Sequence, residues 1–252
     1  LPAEAQEYEA LTYPISKKVY YRNKGEILHP EREGVSELES ARKTMGTRAY
    51  SAQYNQSPTP AEGNIIKRAW LKYYDELPMY IDEKAIFADL AYKDGEENDF
   101  TVIETWARKG NCIYLVDQIR DHMDFPTQLQ ALDLMVKKHP DAMRKEIEEK
   151  ANGAALIQMA KDKIMGLVAN NPKTSKGARL AAASPLYEAG NVYYPNPDQH
   201  PWVEENIKEL LAMGFAGTTT KHDDTADVAS MAVNYFGQMA SSVSRLEILG
   251  RR

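Results

Sequence analysis

The sequence predicts an α/β domain with a mixed central sheet flanked by helices, preceded by an N-terminal arm. Three observations predict it. Three short apolar segments follow one another between Glu83 and Asp117, separated by polar connections. Beyond them, segments of helical and strand-like pattern alternate to about residue 236. Residues 1–80 differ from both, with Pro2, Pro14, Pro30, Pro58, Pro60 and Pro78 among many tyrosines and charges and little continuous apolar pattern.

In the arm, the pattern predicts a helix from Val35 to about Met45 with Gly46 as its stop, and an extended connector over Gln56–Pro60. The compact domain is expected over 81–240, with a flexible tail at 241–252. Its first strand is the apolar run Ala85–Ala88 leading into Asp89. A polar loop, Lys93–Asn98, separates it from Phe100–Trp106, and Arg108–Asn111 turns that strand back into Cys112–Asp117 as a hairpin. A helix starts near Pro126, carries Leu129, Leu132, Met135 and Val136 at helical spacing, and ends at Pro140. Arg144–Glu148 reads as helix from propensity alone and as strand from its place in the order. Then come a helix (Ala154–Lys163), a strand (Ile164–Ala169), a helix (Ala178–Tyr187) stopped by Gly190, and a short strand (Val192–Tyr194). Two amphipathic helices, Trp202–Met213 and Thr225–Phe236, complete the series. A three-strand meander followed by alternating helix and strand is the order of the ribonuclease H-like fold.

Composition narrows the class without choosing an activity. The 252 residues are 43% hydrophobic and 27% charged, ordinary for a soluble globular protein. No apolar run approaches the roughly 20 residues of a membrane-spanning helix, and no secretory signal is apparent. Cys112 is the single cysteine, so an internal disulfide is impossible. A formal charge of −6 argues against a protein that coats DNA. It does not argue against a nuclease, whose carboxylates bind metal that in turn faces phosphate.

Acids stand where chemistry could use them in three places. Asp89 interrupts an apolar strand, and a carboxylate there must be paired, hydrogen-bonded or bound to a cation. Glu148 and Glu149 close a charged run before a loop, where a solvated face is the simpler account. In His222-Asp223-Asp224-Thr225-Ala226-Asp227, one helix cap explains one acid and not all three. Asp224 and Asp227, or Asp223 and Asp227, share a helix face. In the fold just described the first and fourth strands are adjacent and parallel, which sets Asp89 beside Glu148 with the last helix crossing near them. Such a site suits hard divalent cations, two of them about 4 Å apart.

These segments, in this order, resemble the large terminase family of tailed phages. Asp89–Asp94 with Asn98–Val102 is similar to the family's first acidic strand and its return, and Glu148–Gly153 to its second acidic motif. Lys176, Arg179 and Ser184–Val192 are similar to its basic helix and hairpin, and His222–Asp227 to its last acidic motif. Gly25–Arg32, Ala52–Gln56 and Pro58–Gly63 resemble the stretch joining motor to nuclease. The resemblance implies a Mg²⁺- or Mn²⁺-dependent endonuclease holding two ions, which cuts concatemeric double-stranded viral DNA during packaging. Asp89, Glu148 and Asp224 would be the core ligands, with Asp223 and Asp227 as close competitors. Lys150, Lys173, Lys176 and Arg179 would contact phosphate. It further implies an ATPase domain outside this chain, which has no Gly-rich phosphate loop of its own, and partnership with portal protein and small terminase. The setting would be the host cytoplasm, with transient docking on the procapsid. A junction-resolving nuclease and a non-catalytic docking module are the alternatives.

Overall fold

Pro2, Pro14, Pro30, Pro58 and Pro60 leave 31–57 as the longest uninterrupted span of the first sixty residues, and there the long helix forms. In the computed structural model, which describes residues 1–57, 64–90, 100–149, 151–161, 164–214, 217–218 and 222–249, Leu1–Ala61 packs as one unit and Glu62–Arg252 as another. In the first, β1 (Glu9–Thr12) and β2 (Val19–Arg22) pair antiparallel, Glu9 opposite Arg22. Arg22 is wholly buried and donates to Glu9 Oε2 at 3.1 Å and to the carbonyls of Pro2, Ala3 and Glu26. Helix α1 (Val35–Gln53) starts where expected, with the Glu37 carboxylate accepting the Gly34 N–H. Gly46 interrupts the helical backbone at φ 77°, but the chain resumes the helix beyond this kink instead of stopping.

The second unit is built on a seven-stranded mixed sheet of order β3-β9-β6-β5-β4-β7-β8. Its strands are β3 (Lys72–Tyr74), β4 (Glu83–Asp89), β5 (Thr101–Lys109), β6 (Cys112–Asp121), β7 (Arg144–Glu148), β8 (Leu167–Asn170) and β9 (Val192–Pro195). β4, β5 and β6 form the antiparallel meander, the hairpin between the last two turning at Gly110 with φ +58°. The remaining pairings, β4 with β7, β7 with β8, β6 with β9 and β9 with β3, are parallel. This is the ribonuclease H-like arrangement that the element order predicts. β3 comes from the proline-rich segment read as arm.

Five helices cover the two faces: α2 (Phe125–Lys138), α3 (Ala151–Ala160), α4 (Lys176–Glu188), α5 (Val203–Ala212) and α6 (Asp224–Leu249). Period-two alternation along β4 decides which face each residue serves. Ile86 and Ala88 pack with Ile103 against α2 and α3, whereas Ala85 and Phe87 pack with Trp106 against α4, α5 and α6. Each large side chain wholly buried in this way contributes roughly 1.5–3 kcal/mol. Asp124 caps α2 by accepting the Thr127 N–H, and Pro126 occupies its first turn. No helix among the described residues is long and apolar enough to cross a membrane.

β7 is a strand despite its helix-favouring residues, because pairing with β4 on one side and β8 on the other overrides local propensity. Its charges are accommodated in place. Arg144 and Asn170 donate to Glu146, and Lys145 donates to the Met165 carbonyl. Gly166, at φ +75°, makes the approach to β7 feasible: a Cβ there would fall 1.9 Å from the Met143 carbonyl oxygen. That left-handed turn also explains why β8 begins at Leu167 and not at Ile164.

One acid lies deep within the sheet. Glu104 of β5 is fully buried and accepts from Trp106 Nε1 (2.7 Å), Gln118 Nε2 (2.8 Å) and Asn206 Nδ2 (2.7 Å).

Candidate metal centre

Asp89 continues the alternation of Ala85 and Phe87, so its carboxylate falls on the face covered by α4 and α6. The β4–β7 register sets Ala88 opposite Ile147, which brings Asp89 and Glu148 to adjoining strand ends. Helix α6 then begins at this end of the sheet with Asp224 and Asp227 in its first turn. Asp89, Glu148 and Asp227 are 3%, 4% and 1% exposed, and one carboxylate oxygen from each lies within 4.8 Å of the others. Two parallel strand ends and one helix start, remote in sequence, thus converge on a small volume.

The remaining candidates take different places. Asp224 is also buried, but its Oδ2 accepts the backbone N–H of Phe100 at 3.0 Å, an orientation that serves the β5 entrance. Asp223 lies outside the three-carboxylate group; its Oδ1 accepts from Lys176 Nζ at 2.6 Å and its carbonyl caps the Asp227 N–H. His222 stands edge-on to the Phe100 ring, with Nδ1 4.0 Å from Asp224 Oδ2. Lys173 is exposed ahead of α4. Lys150 lies outside the described residues.

Lys176 and Arg179, read from the sequence as phosphate contacts, are turned onto the acids. Lys176 Nζ lies 3.6 Å from Asp227 Oδ2 and 4.0 Å from Asp224. Arg179 Nε donates to Asp227 Oδ1 at 3.1 Å, and its Nη2 bonds the same oxygen while lying 3.7 Å from Glu148. Burial opposes the charge on Lys176, but Asp227, with Asp223 and Asp89, outweighs it and holds the ammonium above its usual range. Among the described residues these two cations face five carboxylates: Asp89, Glu148, Asp223, Asp224 and Asp227.

That imbalance is the test of fit for a metal. Buried carboxylates without matching positive charge are costly, and a hard divalent cation with oxygen ligands relieves the cost. Asp227 Oδ2 is buried and has no hydrogen-bond partner, so one oxygen of a carboxylate in the group is left for a cation. The residues therefore fit a hard divalent cation. Because Lys176 competes for the same oxygens, Lys176→Met is expected to tighten Mn²⁺ binding by roughly threefold to tenfold, a Coulombic effect of about 1 kcal/mol at a partly exposed site. Calorimetric titration reads this directly, and unchanged or weaker affinity would show that Lys176 organises the acids more than it competes for them.

Two further residues, Glu209 and Arg120, support the site without having stood out in the sequence. Glu209 of α5 is buried; its Oε2 accepts both the N–H and the hydroxyl of Thr225, and its Oε1 accepts from Arg120 of β6. A usable signal existed. Glu209 falls on the stripe of α5 that carries Asn206, Ile207 and Leu210, and an acid on an apolar stripe must have a partner.

The family model described as the terminase RNaseH-like domain matches residues 86–236. No curated protein matches. Among solved structures, the large terminase nuclease from thermophilic phage G20c is similar at a TM-score of 0.51 and 15% identity, over 69% of this chain and 98% of that one. A large terminase from another thermophilic bacteriophage is similar at 0.61 and 13% identity, over 80% of this chain and 52% of that one. A second structure of that same terminase, in complex with ADP, gives 0.61 and 12% identity over 79% and 51%. At these identities the structural likeness speaks to fold. The chain spans about half the length of this larger terminase.

Proposed function

The chain belongs to the terminase ribonuclease H-like domain family, and on that premise we propose that it is a metal-dependent endonuclease that cuts concatemeric double-stranded viral DNA during genome packaging. The observation that carries this reading is the convergence of Asp89, Glu148 and Asp227, all buried, from two strands and a helix. Those three would hold one Mg²⁺ or Mn²⁺, and Asp223 or Asp224 is the carboxylate left for a second. When bound, such ions lower the pKa of water and stabilise charge on the phosphate and leaving oxygens. The rest is the work of the chain. The sheet and α6 fix the carboxylates in a low-dielectric pocket, where they need not reorganise during reaction. Lys176 and Arg179, relieved of part of their load once metal neutralises the acids, would meet the phosphate backbone, with Lys173 as an outer contact and Lys150 as a further candidate from its place in the sequence.

The wider setting follows the same premise. In this proposal the first unit, Leu1–Ala61, links to an ATPase domain and the unit from Glu62 onward forms the nuclease. β3, in the segment read as arm, belongs to the sheet of that second unit, and α6 runs into the segment read as tail. Portal protein and small terminase are its partners in the host cytoplasm, with docking on the procapsid.

The test is cleavage of supercoiled plasmid with Mn²⁺, Mg²⁺ or EDTA, comparing wild type with Asp89→Asn. Metal-dependent nicking and linearisation, lost in the variant, is the expected result. Cleavage that survives EDTA or Asp89→Asn would overturn the reading.

A further inference from the structure

Helix α6 supplies acids to the centre from its first turn, where backbone N–H groups lack intrahelical partners and the helix end is readily displaced. Here the turn is fastened from two sides. Glu209 accepts the Thr225 N–H at 3.0 Å and the Thr225 hydroxyl at 2.6 Å, thereby capping the helix from α5. Arg120 donates to the other oxygen of Glu209 and lays its guanidinium carbon 3.5 Å over the centroid of the Phe100 ring. Phe100 closes the circuit, since its N–H donates to Asp224, the residue before Thr225. The loop Glu209–Thr225–Asp224–Phe100–Arg120 thus joins α5, α6 and the β5–β6 sheet in one ring of polar and cation–π contacts. None of Glu209, Arg120 or Thr225 belongs to the three-carboxylate group.

We propose that Glu209 and Arg120 are a positioning pair that sets the phase and depth of the first turn of α6, and so the distance of Asp227 from Asp89 and Glu148. The inference rests on the metal-dependent nuclease reading. Its logic is that of outer partners which orient ligands: they touch neither metal nor substrate, yet their loss costs roughly 10–100-fold in metal affinity or activity.

The experiment is calorimetric titration of Mn²⁺ into wild type, Glu209→Gln, Thr225→Val, Arg120→Lys and Arg120→Met, with kcat and KM on duplex DNA measured in parallel. An amide at 209 cannot accept from both Thr225 and Arg120, so one arm opens. Glu209→Gln is expected to lower Mn²⁺ affinity and kcat each on the order of tenfold or more, with KM for DNA unchanged. Arg120→Lys, which keeps a cation opposite Glu209, is expected to lie nearer wild type than Arg120→Met. Val192→Ala, in the core of β9, lowers Tm without altering Mn²⁺ affinity and so calibrates a purely structural loss. If Glu209→Gln fails to fold, Thr225→Val, which deletes only the hydroxyl arm, carries the same expectation. Wild-type affinity in Glu209→Gln and Thr225→Val, or losses that merely track Tm as in Val192→Ala, overturns the positioning role. Failure of the underlying reading looks different: wild type itself binds no Mn²⁺, or binds it no better than Asp89→Asn.

Discussion

Asp227→Asn is expected to reduce metal-dependent DNA cleavage on the order of 10³-fold, whereas Asp224→Asn is expected to cost nearer tenfold. The two acids occupy the same helical turn and are both buried, so neither burial nor sequence separates them. Their partners do. Asp227 contributes an oxygen to the group formed with Asp89 and Glu148 and has Oδ1 engaged by Arg179. Asparagine at 227 removes the charge and sets an amide donor against either a cation or a metal. Asp224 spends Oδ2 on the Phe100 N–H, a bond that an asparagine carbonyl retains. Single-turnover cleavage with saturating Mn²⁺ measures the difference, and titration of Mn²⁺ should show the same order. Equal losses, or a larger one at Asp224, would move the inner ligand to Asp224, the choice the family resemblance favoured.

Stability is expected to fall as pH rises from about 4.5 to about 7, through Glu104. Burial raises this carboxyl to about 7 from its ordinary value of 4.5, against the donors Trp106, Gln118 and Asn206, which favour the anion. Between those two values the folded protein keeps a proton that the unfolded chain has released. The contribution is therefore fully present below pH 4.5 and lost once pH passes about 7. A shift of that size corresponds to about 3 kcal/mol. Glu104→Gln is neutral at every pH, and Asn206, whose Oδ1 has no hydrogen-bond partner, can turn its amide to accept from the new side chain. Urea unfolding at a series of pH values should show the variant gaining about 3 kcal/mol on wild type across that window. Parallel profiles would mean that Glu104 ionises at its ordinary pKa despite burial.

The sheet was legible in the sequence where pattern and pairing agree. The apolar runs at 85–89, 100–106 and 112–117 are strands because their residues suit a buried pleat, and Gly110 marks the hairpin between the last two. Asp89 was legible for a related reason, as an acid in an apolar strand has few innocent explanations. Arg144–Glu148 was not legible locally. Its strand state depends on β4 and β8, which the sequence places far away, and its element order spoke more clearly than its residues. The choice among Asp223, Asp224 and Asp227 was beyond sequence for a geometric reason. It turns on the phase of α6 about its axis relative to two strand ends, and adjacent helical residues differ by about 100°. Arg179 and Lys176 show the limit of reading charge as surface: their spacing was visible, but not that they would be turned inward.

The centre draws its oxygens from the end of β4, the end of β7 and the start of α6. No stretch of the growing polypeptide contains all three contributions until the whole span to Asp227 has been made. At about 5–20 residues per second, a ribosome takes roughly 7 to 28 seconds to travel from Asp89 to Asp227. During that interval the nascent chain can pair β4 with β5 and β6 by short-range closure, yet it holds no complete set of acids. On the nuclease reading proposed above, competence to cut DNA is a property of closure, arriving only when α6 docks, and a chain abandoned short of α6 would be inert.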